Sequence, residues 1–202
     1  MRGTSHMMES TRTVVTSLVL LLAGCGSSPP AHFYSLQPLD LDYQTDADDA
    51  AVMYVGPLKL PEYVARTQIV TRGDGAEMIV DDYHRWAEPL DDAIPRIVAV
   101  NVDNLVDGVI VVAFPSGNMV NADYRLQGSI VRFDADAAGR AVLIVQWGVA
   151  DRDGDFLVPP RRSRYEARAS RSGDPGAVAV ALNDTVAQFS RDIAREIEAM
   201  LE

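Results

Sequence analysis

Hydrophobic and polar positions alternate with a period of two along three long stretches, residues 122–133, 141–150 and 156–169. That is the pattern of strands with one face against a core. Residues 134–140 join the first two stretches, and Asp151-Arg152-Asp153-Gly154-Asp155 turns the chain between the second and third, so together they predict an antiparallel meander. Shorter strands are expected at 32–36, at 52–58, where Pro61 then bends the chain away, and at 109–114. Residues 68–72 and 77–80 flank Gly73-Asp74-Gly75 and read as a hairpin. Two segments show helical spacing instead. Over residues 88–105, apolar side chains recur at Leu90, Ile94, Ile97, Val98 and Leu105; Pro95 among them is expected to kink the helix or to mark a first turn near Asp91 and Asp92. The last segment is clearer. Asp174 is placed to cap, Pro175 to open the helix, and Val178, Leu182, Phe189, Ile193, Ile197 and Leu201 fall on one stripe. Strands and helices interleave, which predicts an α/β fold: a single domain with a mixed β-sheet, an antiparallel meander within it and helices packed against it.

The beginning of the chain reads differently. Residues 1–7 (MRGTSHM) have the look of a cloning scar or an over-extended start and are set aside from the fold. From residue 8, Arg12 supplies a positive segment and residues 14–21 an apolar run, too short for the roughly 20 residues of a membrane span. Leu22-Ala23-Gly24-Cys25 follows and resembles the lipobox of bacterial lipoproteins, where the thiol is acylated and the chain is cleaved before it. Residues 8–24 are therefore expected to be a lipoprotein signal peptide, Cys25 the lipidated residue, 25–31 a tether and 32–202 the periplasmic domain. Two acyl chains already hold a protein stably on a bilayer. By the same resemblance, Gly26 rather than Asp after the cysteine favours the inner leaflet of the outer membrane.

With 202 residues and 48% hydrophobic side chains, the chain can bury a core without disulfides or metals. Its one cysteine allows neither an internal disulfide nor a zinc site. Arg2, Glu9 and Arg12 precede Cys25, leaving 16 basic against 28 acidic residues from there on, a net charge of −12. That field repels phosphate backbones, so nucleic acid is excluded as a partner. Enzyme signatures are missing: no P-loop, no dinucleotide fingerprint, no nucleophile elbow. No cofactor and no metal are expected. His84 near Asp82 reads as an incidental neighbour on a loop, and Asp151, Asp153 and Asp155 as a hairpin turn rather than a calcium loop. Arg161, Arg162 and Arg164 read as a solvated strand edge that resists aggregation.

Three stretches carry a resemblance over essentially the whole chain after Cys25: Tyr34-Ser35-Leu36, VGPLKLPEYVARTQIVTR (55–72) and RWAEPL (85–90). They are similar to the PqiC/YmbA family of auxiliary lipoproteins of ABC-type transport systems. The resemblance implies no catalytic activity but a place in a machine: a lipid-anchored periplasmic adaptor, docking at the outer membrane a complex of an ABC ATPase, a permease and an MCE-domain protein that moves lipids or other hydrophobic molecules between membranes. A homo-oligomer fits that role. Within the motifs, Tyr63, Arg66, Gln68, Arg85 and Trp86 are candidates for a partner or subunit surface, since aromatics and arginine concentrate binding energy. The same residues have structural roles open to them: Trp86 as a core anchor, Arg85 paired with Glu88, Pro57 at a strand end, Pro89 in a helix's first turn. Two other functions stand beside the adaptor, a domain that itself carries lipid in an apolar cavity and a hydrolase of envelope substrates.

Overall fold

Three antiparallel strands form the largest part of the sheet: β6 (Tyr124–Asp136), β7 (Arg140–Asp151) and β8 (Phe156–Arg168). They are the meander read from the alternation, with β7 paired to both neighbours along its length. The computed structural model describes residues 29–39, 50–114 and 122–201; those from Ala31 onward belong to one unit, Ala31–Glu202. The expected signal peptide, Cys25 and the acidic stretch 40–49 lie outside the described residues.

Five further strands precede the meander: β1 (His32–Tyr34), β2 (Ala51–Lys59), β3 (Gln68–Arg72), β4 (Met78–Trp86) and β5 (Val109–Ala113). β3 and β4 are the expected antiparallel hairpin, but β4 runs on to Trp86, which places His84 on a strand rather than a loop. The remaining pairings are parallel. β1 lies on β4, β2 on β5, and both β2 and β3 on the same edge of β6, β2 along its first half and β3 at its end. The sheet therefore forks at β6. Eight strands make one mixed sheet, as the sequence pattern predicts.

Two helices cover one face of it, α1 (Leu90–Asp103) and α2 (Pro175–Leu201). Met53 and Val55 of β2, Leu126 and Ile130 of β6, and Leu143, Val145 and Trp147 of β7 join the helices' apolar residues in a single core. α2 starts as expected: the Asp174 Oδ1 accepts the Ala177 N–H at 3.1 Å, satisfying a donor that the helix leaves orphaned. Its stripe is buried through Ile197, whereas Leu201 is exposed. α1 has Asp91 and Asp92 in its first turn, one of the two arrangements expected, and Pro95 lies one turn further in, inside the helix. The proline forgoes one backbone hydrogen bond near the start, and its ring is buried. Pro89 occupies the position before the helix, and Pro57 lies within β2, at an irregularity in the β2–β6 pairing, not at its end. A buried amide ties the two helices to the N-terminal segment: Asn101 donates to Ser190 Oγ at 3.0 Å and accepts the Leu39 N–H at 2.7 Å.

Candidate functional site

Pro61 closes a turn after β2, its carbonyl accepting the amides of Val64 and Ala65. Val64 is thereby buried, and Tyr63 passes beneath the face of the sheet that the helices leave uncovered. There the Tyr63 hydroxyl donates to Asp134 Oδ2 at 2.7 Å. Asp134 sits in β6 between Phe133 and Ala135, which point into the core, so its carboxylate emerges on the opposite face. It is completely buried. Arg72 grips it with two bonds, Nε to Oδ1 at 3.1 Å and Nη2 to Oδ2 at 2.8 Å, and Arg132 adds another through Nε at 2.9 Å. The Arg72 guanidinium also lies 5.8 Å from the centre of the Tyr63 ring. Burial first, and then the bond to Asp134, hold the Tyr63 phenol above its ordinary pKa; the same carboxylate raises that of Arg72. The long motif is thus a latch that fastens the β2–β3 connection to the sheet, and Tyr63 is committed to it.

The other candidates separate into two groups. Trp86 is 4% exposed, and its ring lies 6.3 Å from that of Phe133, so it is a core anchor withdrawn from the surface. Arg66, Gln68 and Arg85 remain at the surface. The strand register puts Gln68 beside Arg85 and Arg85 beside Phe33, a row across β3, β4 and β1, with Arg66 exposed just before it. Arg85 Nε donates to the carbonyl of Asp82 at 2.9 Å. The expected Arg85–Glu88 pair does not form, because Glu88 pairs with Arg96 of α1. Among the described residues neither Arg66 nor Arg85 has a carboxylate partner, and both guanidinium groups are left to engage carboxylates or carbonyls from outside.

Elsewhere the polar clusters are spent on architecture. His84 Nδ1 and the Tyr34 hydroxyl are 2.7 Å apart, and His32 stacks on His84 with centroids 4.9 Å apart. The carboxylate next to the His84 backbone belongs to Asp81, not Asp82. Asp151 Oδ1 accepts three consecutive amides, from Asp153, Gly154 and Asp155, each at 2.9 Å, which accounts for the acidic turn. Arg161 lies 4.5 Å over the Trp147 ring and pairs with Glu196 of α2, while Arg162 and Arg164 line the solvated edge of β8. Sequence reasoning missed Asp134 altogether, having placed it at the start of a connection. Nothing in the sequence singles it out, since Arg72 and Tyr63 have nearer carboxylates along the chain in Asp74 and Glu62.

Among the described residues the surface has clefts of about 440, 290 and 290 Å³. The cleft of about 440 Å³ runs across four strands and is lined by Pro57, Lys59, Gly128, Gly148, Phe156 and Pro160 among others. Gly128 is required there, since a Cβ would stand 2.1 Å from the Gln146 carbonyl oxygen of β7. Among the described residues no group of His, Cys, Asp and Glu side chains is disposed to hold a metal ion, and no helix is long and apolar enough to cross a membrane.

Comparison with known proteins gives a consistent result. The chain is 24% identical to the intermembrane transport lipoprotein PqiC of Escherichia coli over 189 residues, 93% of this chain and 97% of that protein, and matches PqiC of Shigella flexneri equally. Two crystal structures share the fold. One, of an uncharacterized protein, has a TM-score of 0.68 at 22% identity and covers 84% of this chain and 99% of its own; the other, of a Xanthomonas campestris protein, has a TM-score of 0.64 at 17% identity and covers 81% and 93%. The profile of one family, described as the ABC-type transport auxiliary lipoprotein component, matches residues 34–194, which takes in the latch, Arg66, Gln68 and Arg85, all of α1 and most of α2. The chain belongs to that family of ABC-type transport auxiliary lipoproteins.

Proposed function

We propose that this protein is the lipid-anchored periplasmic adaptor of an ABC/MCE-type intermembrane transport system, held through Cys25 at the inner leaflet of the outer membrane and docking the complex there. The observation that carries the reading is the end-to-end match to a lipoprotein whose name states intermembrane transport, 97% of that protein being covered. The Leu22-Ala23-Gly24-Cys25 stretch supplies the matching anchor chemistry. In the domain, the row Arg66, Gln68 and Arg85 is the docking or self-association surface, and in a chain of net charge −12 from Cys25 onward its unpaired arginines offset repulsion between acidic partners. No reaction is assigned to the chain: the buried Asp134 carboxylate is engaged by Tyr63, Arg72 and Arg132 in the latch.

The test has two arms. Cys25→Ser is expected to abolish lipidation, leaving soluble domain or uncleaved precursor in fractionated cells; a processed variant that stays on membranes through carbonate washing refutes the anchor. Arg66→Glu, exposed and outside the latch, is expected to impair pull-down of the MCE-domain partner and self-association with an unchanged circular dichroism spectrum. A folded Arg66→Glu chain with full capture and assembly refutes the docking surface.

A further inference from the structure

Phe33 and Val180 are the two most exposed of the large hydrophobic side chains among the described residues, at 64% and 63%. They come from distant parts of the sequence, yet line the same cleft of about 290 Å³ between β1 and α2. Single exposed apolar residues are ordinary, but two of them gathered in one cleft mark a surface that meets something apolar. The other residues lining it include Tyr34, Gln37, Ala179 and Asn183, and none of the eight is charged. In so acidic a chain that is a local exception. The cleft is also held in place, because the Gln37 amide donates to Asn183 Oδ1 at 2.8 Å, fastening the N-terminal segment to α2.

What covers it follows from where the chain leads. Phe33 is the eighth residue after Cys25, and eight residues reach at most about 28 Å when fully extended. A side chain so close in sequence to an acylated cysteine never leaves the neighbourhood of the bilayer. We infer that the Phe33–Val180 patch rests against the membrane that holds Cys25, with the Phe33 ring in the interfacial layer. The tether supplies a high effective concentration, so a patch too small to recruit the protein from solution suffices to orient it once anchored. The residues that line the cleft are uncharged, so the patch itself brings no like charge to anionic headgroups, with Asp174 and Asp81 kept to its Tyr34 margin. The inference rests on the proposed anchoring through Cys25 and adds an orientation to it.

The experiment uses the full-length lipoprotein, produced in a Gram-negative host and reconstituted into phosphatidylcholine vesicles with brominated or unbrominated acyl chains. Phe33→Trp adds an indole at the patch, whereas the native Trp86 and Trp147 are buried and give a background the lipid does not reach. Leu157→Trp, exposed at the start of β8, is the control. The expected result is blue-shifted Phe33→Trp emission that loses most of its added intensity in brominated vesicles, with Leu157→Trp unaffected. Flotation of the same vesicles reports the anchor independently. Protein that floats with Phe33→Trp unquenched, or with both variants quenched alike, overturns the orientation and leaves the anchor standing. Protein that does not float overturns both. Blue-shifted Phe33→Trp emission that is unquenched and reverts on dilution assigns the patch to a second copy of the chain and overturns the lipid assignment.

Discussion

Replacing Asp134 by alanine tests the latch where it is most concentrated. The carboxylate is fully buried and receives the Tyr63 hydroxyl, both donors of Arg72 and a bond from Arg132. Removing one partner of a buried ion pair costs about 3–5 kcal/mol when the remaining charge is left dry. Here the Arg72 and Arg132 side chains keep 33% and 21% of their surface in water, so they rehydrate, and the expected loss is about 2–3 kcal/mol. Tyr63→Phe removes one hydrogen bond to the same carboxylate and is expected to cost about 1 kcal/mol. Both changes delete that bond, so the double variant is expected to fall short of the summed losses by roughly 1 kcal/mol. The assay is urea unfolding at neutral pH followed by tryptophan emission, since Trp86 and Trp147 are both buried in the domain. A loss for Asp134→Ala within about 0.5 kcal/mol of zero, or strictly additive losses in the cycle, refutes the latch.

Other perturbations follow from the same packing. Phe189 is fully buried against the Trp147 and Tyr165 rings, so Phe189→Ala is expected to cost about 3–5 kcal/mol in the same urea assay; an unchanged midpoint would show that α2 does not close the core. Gly128→Ala drives a methyl into the Gln146 carbonyl oxygen, a backbone atom that cannot swing aside, with an expected loss of about 1–3 kcal/mol and altered amide exchange along β6 and β7. Alkaline pH acts through Tyr63 and Tyr165, whose phenols are raised above 10.0 first by burial and then by hydrogen bonds to Asp134 and Asp192. The folded chain keeps these protons where the unfolded chain has lost them, so their stabilisation is complete below about pH 10 and declines as the pH rises beyond it. Urea midpoints between about pH 8 and pH 11 are expected to fall at the alkaline end, and to fall less steeply in Tyr165→Phe.

The meander and α2 were legible because their signals are local. Alternation, an acidic turn and an Asp-Pro helix start each act over a few residues, and Asp151 and Asp174 do what those letters imply. The parallel pairings had no such signal. β1 meets β4 across some fifty residues, and nothing around His32 announces His84 as its neighbour. The fork at β6 is hidden for the same reason, since β2 and β3 each read as ordinary short strands. At the candidate site, sequence could select Tyr63, Arg66, Gln68, Arg85 and Trp86 but not say which way each pointed. Tyr63 and Trp86 turned inward because Asp134 and Phe133 of β6 lie within reach of them, and those partners are separated from them by many residues. Pro95 left two arrangements open, and its burial, which chose the one with Asp91 and Asp92 in the first turn, is not visible in a dipeptide.

Mechanically, the N-terminal end of the domain is its fuse. β1 contributes only three residues to the sheet, and beyond them the segment is held by the buried Leu36 side chain and by the amides of Gln37 and Leu39 bonded to Asn183 and Asn101. Tension applied from the side of Cys25 loads these few bonds in succession before it reaches the long ladders of the meander. Peeling residues 31–39 away would lengthen the tether by nine residues, about 30 Å of extended chain, while the paired strands β6, β7 and β8 stayed folded.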